Sequence, residues 1–483
     1  MVPNLAYFAP LRENNLRLFM AMVNTRRKVG VGLLGSGVVG EAIQDILFRD
    51  LKGQLGDEIE LEIRKIYTRN PKGKKWFGKR RELFTNRAEE VIDHPGVDIV
   101  IEALGFQSAT QLPQFRDYIL RAFRNGKSVV TSDKAVLARY GKEIWAAAKK
   151  AGQQLRFEAC VGGGIPVIRS LSESFAAEEP EAIFGIVNGT CNYILSQMEK
   201  SGKPYGDALK EAQQKGYAET NPAADVNGSD AEAKLLLLSL VGFGLQIQPG
   251  QIWRKGIEDI QAVDFRYAKR IGNSTIKQLA VARRKGRFVQ VFVSPALVPG
   301  ESFLGSVDGA MNAVCFAGKS SSAGRGERDC DYVLVGPGAG GGPTAVAVLG
   351  DVSELARGER KFSGVPSLIP PGTLTLQPED DIDVPFYVRF VVKDHAGIVG
   401  DIGQAFGRIG VNISEIWQLR HVDDELRGLM QSYKAKQRAQ QVLPFVMTLE
   451  RATLKQMRKA LDSVRNRDYI VVDPVWFPIW GGR

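Results

Sequence analysis

Histidine and cysteine are scarce in this chain of 483 residues, which has three histidines and four cysteines. The cysteines show no paired CxxC spacing, which argues against a structural zinc site and against a disulfide framework. A reducing compartment fits this usage, so we expect a cytoplasmic protein. Because histidine is so rare, proton transfer in any active site is expected to fall to lysine or to a carboxylate. The cysteines are Cys160, Cys191, Cys315 and Cys330.

Long apolar runs are also missing. The longest near-apolar stretch, from Leu235 to Leu245, is far shorter than the roughly 20 residues of a membrane span, so we expect a soluble protein. Residues 1–25 lack an apolar core followed by a small-residue cleavage site, which argues against a secretory signal. They are interpreted as an N-terminal extension, with an organelle transit peptide as the alternative.

The net charge of +10 raises the question of nucleic-acid binding. Lysine and arginine are scattered along the chain, however, except for a cluster from Lys72 to Arg81. This distribution favours a small anionic ligand over nucleic acid.

A glycine-rich loop is the strongest single motif. The β-rich run Arg27–Leu34 leads directly into Gly35-Ser36-Gly37-Val38-Val39-Gly40, and apolar residues then follow at helical spacing up to Leu51. With 52 glycines in the chain, a GxGxxG string alone is weak evidence. Its place between a strand and a helix favours dinucleotide binding over a purely structural turn, because free N–H groups at the helix start face a pyrophosphate.

The end of the second predicted strand indicates which dinucleotide is bound. An NAD-preferring site usually has Asp or Glu there, whereas this chain has Thr68-Arg69-Asn70 followed by several lysines. We therefore expect Arg69 to contact the 2′-phosphate of NADP, with NAD as the less favoured cofactor. The alternative is a solvated basic loop.

Alternating strands and helices predict a Rossmann-type α/β domain, with strands at Ile59–Thr68, Val97–Leu104 and Ser128–Thr131. An α+β domain follows, with long amphipathic helices from Tyr205 to Leu245. The last part of the chain has the order βαββαβ, which is ferredoxin-like. Its predicted elements are Phe386–Lys393, helix Ile398–Arg408, Val411–Gln418, Leu443–Leu449, helix Arg451–Val464 and Tyr469–Val475. The expected domains are the extension 1–25, a dinucleotide-binding domain 26–155 completed by about 331–357, a catalytic and dimerisation domain 156–330, a linker 358–385 and a regulatory domain 386–483.

An acid–base pair stands out in the second domain. Asp230 and Lys234 are four residues apart on a predicted helix, which is also typical of a surface salt bridge. The apolar run Leu235–Leu238 indicates that this helix is largely buried. A buried lysine is a candidate proton donor, because burial disfavours its charged form.

Taken together, these motifs resemble the homoserine dehydrogenase family over nearly the whole chain from about Lys28. The strings that carry the resemblance are GLLGSGVVG (32–40), NGKSVVTSDKAVLA (125–138), FEACVGGGIPVI (157–168), NGTCNYIL (188–195), GYAETNPAADVNGSDAEAKL (216–235) and GPGAGGGPTA (336–345). The family interconverts L-homoserine and L-aspartate 4-semialdehyde with NAD(P)(H), on the route to threonine, methionine and isoleucine.

The resemblance implies roles for individual residues. Lys234 would be the proton donor, with Lys134 near substrate and nicotinamide. Glu219, Asp230 and Asp225 would bind the substrate's amino and hydroxyl groups. Besides the glycine loop, Arg69 and Lys134, the expected cofactor contacts are Gly105, Ser132, Gly216 and Gly340. A monovalent cation such as sodium would be held at Glu158, Val161, Gly163 and Ile165.

The chain departs from the family pattern at two positions. Asp133 stands where Asn is usual, and Asn221 stands where Asp is usual. Asp133 is expected to raise the pKa of Lys134, and Asn221 removes one carboxylate from the neighbourhood.

Two other interpretations are less favoured. A semialdehyde dehydrogenase with Cys160 as nucleophile would lack a nearby histidine to activate the thiol. A non-catalytic sensor of NADP and an amino acid would not need Lys134, Glu219, Asp230 and Lys234.

The third domain resembles an ACT regulatory domain. Asp394 and Gly397 lie at its first strand-to-helix turn, where such domains bind amino acids. By analogy, threonine would be the effector, and the alternative is a domain that only helps the chain to dimerise. We expect a homodimer or a homotetramer.

Overall fold

The computed structural model describes residues 27–49, 59–105, 108–320, 330–358, 367–394, 396–418 and 442–481. The N-terminal extension expected at 1–25 lies outside the described residues. The chain divides into two compact units. The first comes from the ranges 1–132, 146–156 and 348–363, and the second from 133–145, 157–347 and 364–483.

The first unit contains a parallel sheet with the strand order β3-β2-β1-β4-β5-β6. This is the order of a Rossmann fold, as the sequence predicts. The strands are β1 (Arg27–Leu34), β2 (Ile59–Tyr67), β3 (Phe84–Thr85), β4 (Ile99–Glu102), β5 (Ser128–Thr131) and β6 (Leu155–Arg156). The helices are α1 (Val38–Phe48), α2 (Ala88–Ile92), α3 (Leu112–Arg124) and, shared with the second unit, α4 (Lys134–Ala151).

The central strands of this sheet are buried on both faces. From Val29 to Leu34 every residue of β1 is buried, which explains why its sequence is continuously apolar rather than alternating. β4 is shorter than the predicted strand Val97–Leu104. Val97 donates its N–H to the carbonyl of His94 in a turn, and the residue pairs between β1 and β4 begin at Val31 and Ile99.

The second unit is built on a mixed sheet with the order β12-β11-β7-β9-β10-β13, and β8 pairs with β10. Its strands are β7 (Pro180–Ile186), β8 (Trp253–Arg254), β9 (Ser274–Lys285), β10 (Phe288–Pro299), β11 (Met311–Gly318), β12 (Tyr332–Pro337) and β13 (Thr375–Leu376). Its helices are α5 (Val167–Arg169), α6 (Gly189–Ser201), α7 (Tyr205–Gln214), α8 (Ala223–Val226), α9 (Ser229–Phe243), α10 (Ala262–Arg270), α11 (Phe303–Ser306) and, shared with the first unit, α12 (Gly341–Arg357).

The stretch from Tyr205 to Leu245, expected to form long amphipathic helices, contains three helices, one of only four residues. Pro222 precedes α8, and Gly228 adopts a left-handed φ of 82° before α9, so the chain turns at both points. The prediction that Leu235–Leu238 is buried is confirmed, since α9 packs on β7, β9 and β10. Within the described residues, no helix is long and apolar enough to cross a membrane.

The C-terminal part of the second unit is an antiparallel sheet with the order β15-β16-β14-β17. With its two helices it is ferredoxin-like, as predicted. The elements are β14 (Asp383–Lys393), α13 (Ile398–Gly407), β15 (Ile413–Gln418), β16 (Val442–Thr453), α14 (Leu454–Arg465) and β17 (Ile470–Pro478). The prediction of a helix from Arg451 was wrong by one turn. β16 runs on to Thr453 against β14, and Thr453 then caps α14 in a capping box with Gln456.

A buried ion pair joins this ferredoxin-like sheet to α10. Arg389 on β14 and Asp264 on α10 have side chains only 1% and 0% exposed, and Arg389 Nε lies 2.8 Å from Asp264 Oδ1. The other guanidinium nitrogens of Arg389 donate to Gln261 Oε1 and to the Asp259 carbonyl oxygen, and the Tyr387 hydroxyl donates to Asp264. The charges are therefore removed from water but paired with each other, and the two terminal guanidinium nitrogens have hydrogen-bond acceptors.

Arg389→Met tests the contribution of this pair. Removing one partner leaves the other charge buried alone, so we expect the free energy of unfolding to fall by about 3–5 kcal/mol. Urea denaturation followed by circular dichroism measures the change. Asp264→Asn combined with Arg389→Met should recover part of the loss, because no buried charge is then left unpaired.

Arg451→Met is the matched control. Its ion pair with Asp383 is at the surface, with the arginine side chain 45% exposed, and such pairs contribute about 0–1 kcal/mol. Equal destabilisation by Arg389→Met and Arg451→Met would show that the buried pair contributes no more than a surface one.

Candidate active site

The glycine loop of the first unit joins β1 to α1 through close backbone contacts. Gly35 has a φ of 111°, and a Cβ there would lie 2.1 Å from the Ala103 carbonyl oxygen, so a larger residue does not fit. A Cβ on Gly40 would lie 2.2 Å from the Gly35 oxygen, whereas one on Gly37 would meet nothing within 4 Å. The start of α1 has no side-chain cap. Its N–H groups and the open space at Gly37 fit a pyrophosphate.

Ser36 braces this loop from the inside. Its hydroxyl is buried and accepts a hydrogen bond of 3.0 Å from Gln44 Nε2, which also donates to the Gly40 carbonyl oxygen. Among the loop residues expected to contact cofactor, the Ser36 side chain is thus turned to α1, while Val38 is 77% exposed. Sequence reasoning missed Gln44. The available signal was a polar residue one turn after Gly40, beside Ile43 on the apolar face of α1.

The end of β2 lies beside the glycine loop, because the Gly35 N–H donates to the Tyr67 carbonyl oxygen. Arg69 follows two residues later and is exposed. Lys74 and Lys75 are bound to the outer face of α1, at 3.2 Å from Glu41 and 2.6 Å from Asp45. Arg69 and Lys72 have no ion-pair partner among the described residues. Two lysines of the basic segment are therefore held against α1 by ion pairs, so the alternative of a solvated loop describes only the rest of the segment.

In the second unit, two lysines converge on one carboxylate. Lys134, the first residue of α4, places Nζ 3.0 Å from Asp230 Oδ1, and Lys234 places Nζ 2.7 Å from Asp230 Oδ2. Asp230 and Lys234 face each other because they are one turn apart on α9. All three side chains are mostly buried. This pair is thus part of a buried cluster and not a surface salt bridge.

The residues that follow β7 complete this cluster. The Val187 carbonyl oxygen accepts a hydrogen bond of 2.6 Å from Lys234 Nζ. The Asn188 amide donates to Asp225 Oδ1 at 2.7 Å and to Asp230 Oδ2 at 2.9 Å. Asn188 is the first residue of the motif NGTCNYIL, but its contact with the two carboxylates was not predicted from the sequence. Its place directly before a helix does indicate an N-cap, for which Asn is a common residue.

The two carboxylates have opposite electrostatic environments. Burial disfavours the charged form of Asp230, but Lys134 and Lys234 outweigh it and hold the pKa of Asp230 below its usual range. Burial raises the pKa of Asp225, and the charge of Asp230 raises it further, against the Asn188 hydrogen bond. The charge of Asp230 in turn raises the pKa of Lys134, in spite of burial. The charged form of Asp230 is therefore stabilised by both lysines, whereas Asp225 has no ion-pair cation among the described residues.

The two departures from the family pattern have different surroundings. Asp133 is buried, and its Oδ1 accepts the N–H groups of Ala135 and Val136 at the start of α4. Its charge adds to the raised pKa of Lys134, the direction expected from the sequence, although Asp230 contributes more. Asn221 is exposed, and its side-chain oxygen accepts the N–H of Ala223, the first residue of α8.

Glu219 is not brought into the lysine–carboxylate cluster. It is exposed on the turn after α7, where its carbonyl oxygen accepts a hydrogen bond from Gln213, and it forms no ion pair with a described residue.

The other predicted cofactor contacts lie at turns and next to helix or strand ends. Gly216 lies in the exposed turn after α7, and Gly340 directly precedes α12. Gly105 is exposed three residues after β4, and Ser132 donates its N–H to the Glu102 carbonyl oxygen.

The turn expected to hold a cation is organised around Glu158. Its carboxylate is buried and accepts the N–H groups of Ile168 at 2.9 Å and Arg169 at 2.8 Å. The Ile165 N–H closes the turn by donating to the Gly162 carbonyl oxygen. Gly163 lies so close to Gly338 that an added Cβ would be 2.7 Å from it. No cluster of three or more His, Cys, Asp or Glu side chains that fits a metal ion occurs within the described ranges.

Cys160 is unsuited to the nucleophile role that was considered for it. Its side chain is 2% exposed. Of the three histidines, His395 and His421 lie outside the described residues. The predicted effector site, at the turn between β14 and α13, is open to solvent, since Asp394 and Gly397 are both exposed.

Comparison with known proteins identifies the family. Residues 35–158 match the model of the homoserine dehydrogenase NAD-binding domain, and residues 166–353 match the homoserine dehydrogenase model. A homoserine dehydrogenase of Synechocystis is 36% identical over 82% of this chain and 90% of its own length. One from Helicobacter pylori is 32% identical over 93% of this chain and 98% of its own.

Solved structures give the same result. The crystal structure of a homoserine dehydrogenase from Thiobacillus denitrificans superposes with a TM-score of 0.80 at 30% sequence identity, covering 95% of this chain and all of that one. Its similarity extends over both units, and both family models fall on the parts of the chain that carry the glycine loop and the lysine–carboxylate cluster. On this evidence, the chain belongs to the homoserine dehydrogenase family.

Proposed function

We propose that the chain interconverts L-homoserine and L-aspartate 4-semialdehyde with NADP(H) as its preferred cofactor, and that Lys134, Asp225, Asp230 and Lys234 form the substrate site. The observation that carries the proposal is the convergence of two lysine ammonium groups on the two oxygens of Asp230. With Asp225 added, the four side chains carry two positive and two negative charges. Such a pocket is neutral overall yet strongly polar, which suits a zwitterionic amino acid.

Lys234 is the group best held for proton transfer. It is fixed by Asp230 on one side and by the Val187 carbonyl oxygen on the other, so its third N–H is left for a substrate oxygen. Bound NADP supplies the acceptor for the hydride that leaves the alcohol carbon. In reduction the Lys234 ammonium donates the proton of that third N–H to the aldehyde oxygen and becomes a neutral amine, and in oxidation the neutral amine takes the hydroxyl proton. Lys134 stabilises negative charge on that oxygen from the other side of Asp230.

Lys234→Ala should lower kcat by a factor on the order of 100 or more, because a positioned acid–base group contributes that much. Steady-state homoserine oxidation measures kcat, and fluorescence titration measures NADP binding, which should stay within about twofold of the parent. Lys210→Ala is the matched control, since Lys210 is an exposed lysine of α7. A kcat near that of the parent in Lys234→Ala would remove Lys234 from the mechanism.

The preference for NADP is supported by the position of Arg69. It follows the strand whose end is hydrogen-bonded to the glycine loop, it is exposed, and no described carboxylate neutralises it. A guanidinium there can bind a phosphate in a bidentate manner, whereas a ribose hydroxyl gives no charge to pair with. Lys72 adds a second positive charge on the same segment.

Arg69→Ala is expected to raise KM for NADP by about 10-fold or more while changing KM for NAD by less than about twofold, because only NADP carries the extra phosphate. Initial rates with each cofactor at saturating homoserine give both constants. Arg87→Ala, an exposed arginine of the same unit, serves as control. Equal weakening of both cofactors would exclude Arg69 as the phosphate contact.

For the cation, the turn from Glu158 to Ile165 offers backbone oxygens around three glycines, and the Glu158 carboxylate is buried in the same turn. This donor set is all oxygen, which suits sodium better than a transition metal. The ion would be held by Glu158, Val161, Gly163 and Ile165. It would fix this turn beside the end of β12, the strand that precedes Gly338.

We also propose that the ferredoxin-like part acts as an ACT domain that binds threonine at the turn of Asp394 and Gly397. The N–H groups at the start of α13 have no side-chain cap, and a Cβ on Gly397 would meet nothing within 4 Å. An amino acid presents a carboxylate for those N–H groups and an ammonium for Asp394.

Threonine titration of the parent enzyme is expected to lower activity or change its assembly, and Asp394→Ala should weaken the response by about 10-fold or more in threonine concentration, because a charged contact is lost. Asp462→Ala, an exposed acid on α14, should respond as the parent does. If threonine changes neither the activity nor the assembly of the parent enzyme, this domain has only a structural role.

Assembly as a homodimer or homotetramer is supported by β12. Among the described strands it lies at the edge of the mixed sheet, with Tyr332 and Val335 exposed, and an edge strand offers backbone N–H and C=O groups for pairing with another chain. The four free cysteines fit the proposed cytoplasmic location.

A further inference from the structure

We propose that Asn188 is a positioning residue whose amide holds the Asp225 carboxylate beside Asp230, in the orientation that binds the ammonium group of the substrate. The proposal rests on the substrate site proposed above and adds to it the residue that sets its geometry. It also identifies the part of the substrate that depends on that geometry, which is the amino group and not the hydroxyl.

The Asn188 amide is placed between two carboxylates. Its Nδ2 lies 2.7 Å from Asp225 Oδ1 and 2.9 Å from Asp230 Oδ2, and the residue is only 4% exposed. A primary amide has two N–H hydrogens, so each carboxylate receives one. Two carboxylates this close repel each other, and a shared neutral donor reduces that repulsion without using up either charge.

The orientation of this amide is fixed by the helix that follows it. Asn188 is the N-cap of α6, and its Oδ1 accepts the N–H of Cys191 at 2.8 Å. A flipped amide would set its oxygen against two carboxylates and its N–H₂ against a backbone N–H. Both contacts are repulsive, so the cap and the carboxylate clamp are two consequences of one rotamer.

Charge pairing then separates the roles of the two carboxylates. Asp230 is paired with Lys134 and Lys234. Asp225, in contrast, accepts a hydrogen bond from the neutral Asn188 amide and forms no ion pair with a described residue. A carboxylate not paired with a lysine is what an ammonium group requires. Burial and the charge of Asp230 raise the pKa of Asp225, and the Asn188 hydrogen bond is the first of the contacts that oppose this rise.

Substitution by Ser separates the clamp from the cap. Ser is as good an N-cap as Asn, so Asn188→Ser keeps α6 capped but removes the donor that reaches Asp225 and Asp230. Asn188→Asp also keeps the cap, but it puts a third carboxylate between the other two. Both variants are therefore expected to fold, and they disturb the pocket in graded ways.

The test is the steady-state kinetics of homoserine oxidation over a range of pH. In Asn188→Ser, KM for homoserine should rise on the order of 10- to 100-fold, the effect of losing hydrogen bonds to charged groups, while kcat falls by less than about fivefold. The acid limb of kcat/KM should move to higher pH, because loss of the amide raises the pKa of Asp225 further and the carboxylate must be ionised to bind ammonium. Asn188→Asp should be worse than Asn188→Ser in KM.

Thr453→Ala provides the matched control, because it removes an N-cap from α14, in the ferredoxin-like part, without touching a carboxylate pair. It should lower the melting temperature and leave KM and the pH profile unchanged. An Asn188→Ser enzyme with parental KM and an unmoved acid limb, or one that loses only kcat, overturns the proposal. A parent chain that does not oxidise homoserine at all contradicts the proposed function instead, so the two failures are distinguishable.

Discussion

Asp230 is the constraint on which the rest of the substrate site depends. Two lysines are taken largely out of water here, and without a shared carboxylate their charges would repel each other in a weakly screening interior. Because Asp230 must reach both, the start of α4 and the second turn of α9 are tied to one point. The end of β7 is drawn to the same point, since the Val187 carbonyl oxygen accepts one N–H of Lys234 and the Asn188 amide donates to Asp230.

Much of this architecture follows from local sequence signals. The strand–glycine–helix unit of the first sheet is encoded within some twenty consecutive residues, where hydrophobic period and glycine positions agree. Asp230 and Lys234 could be paired from their spacing alone, because one helical turn brings them together. The burial of α9 was equally readable, since Leu235–Leu238 leaves no polar face on that side.

What could not be predicted are pairings between residues far apart in the chain. Nothing in the spacing of Lys134 and Asp230, or of Arg389 and Asp264, indicates that they meet, because such contacts have no period. Pairing with a neighbouring strand can also override a helix that the local sequence favours. Arg451 begins a plausible helix by itself, but the ladder with β14 extends β16 to Thr453 and delays the helix. Asn188 was missed for a similar reason, since its two carboxylate partners come from a later segment.

The Arg389–Asp264 pair has an evolutionary consequence. The ferredoxin-like sheet and α10 share not only this pair but also the bond from the Tyr267 hydroxyl to the Pro444 carbonyl oxygen. A chain that lost residues 386–483 would expose apolar surface and leave Asp264 buried without its cation. Such a loss would be tolerated only together with replacements on α10, above all a neutral residue in place of Asp264.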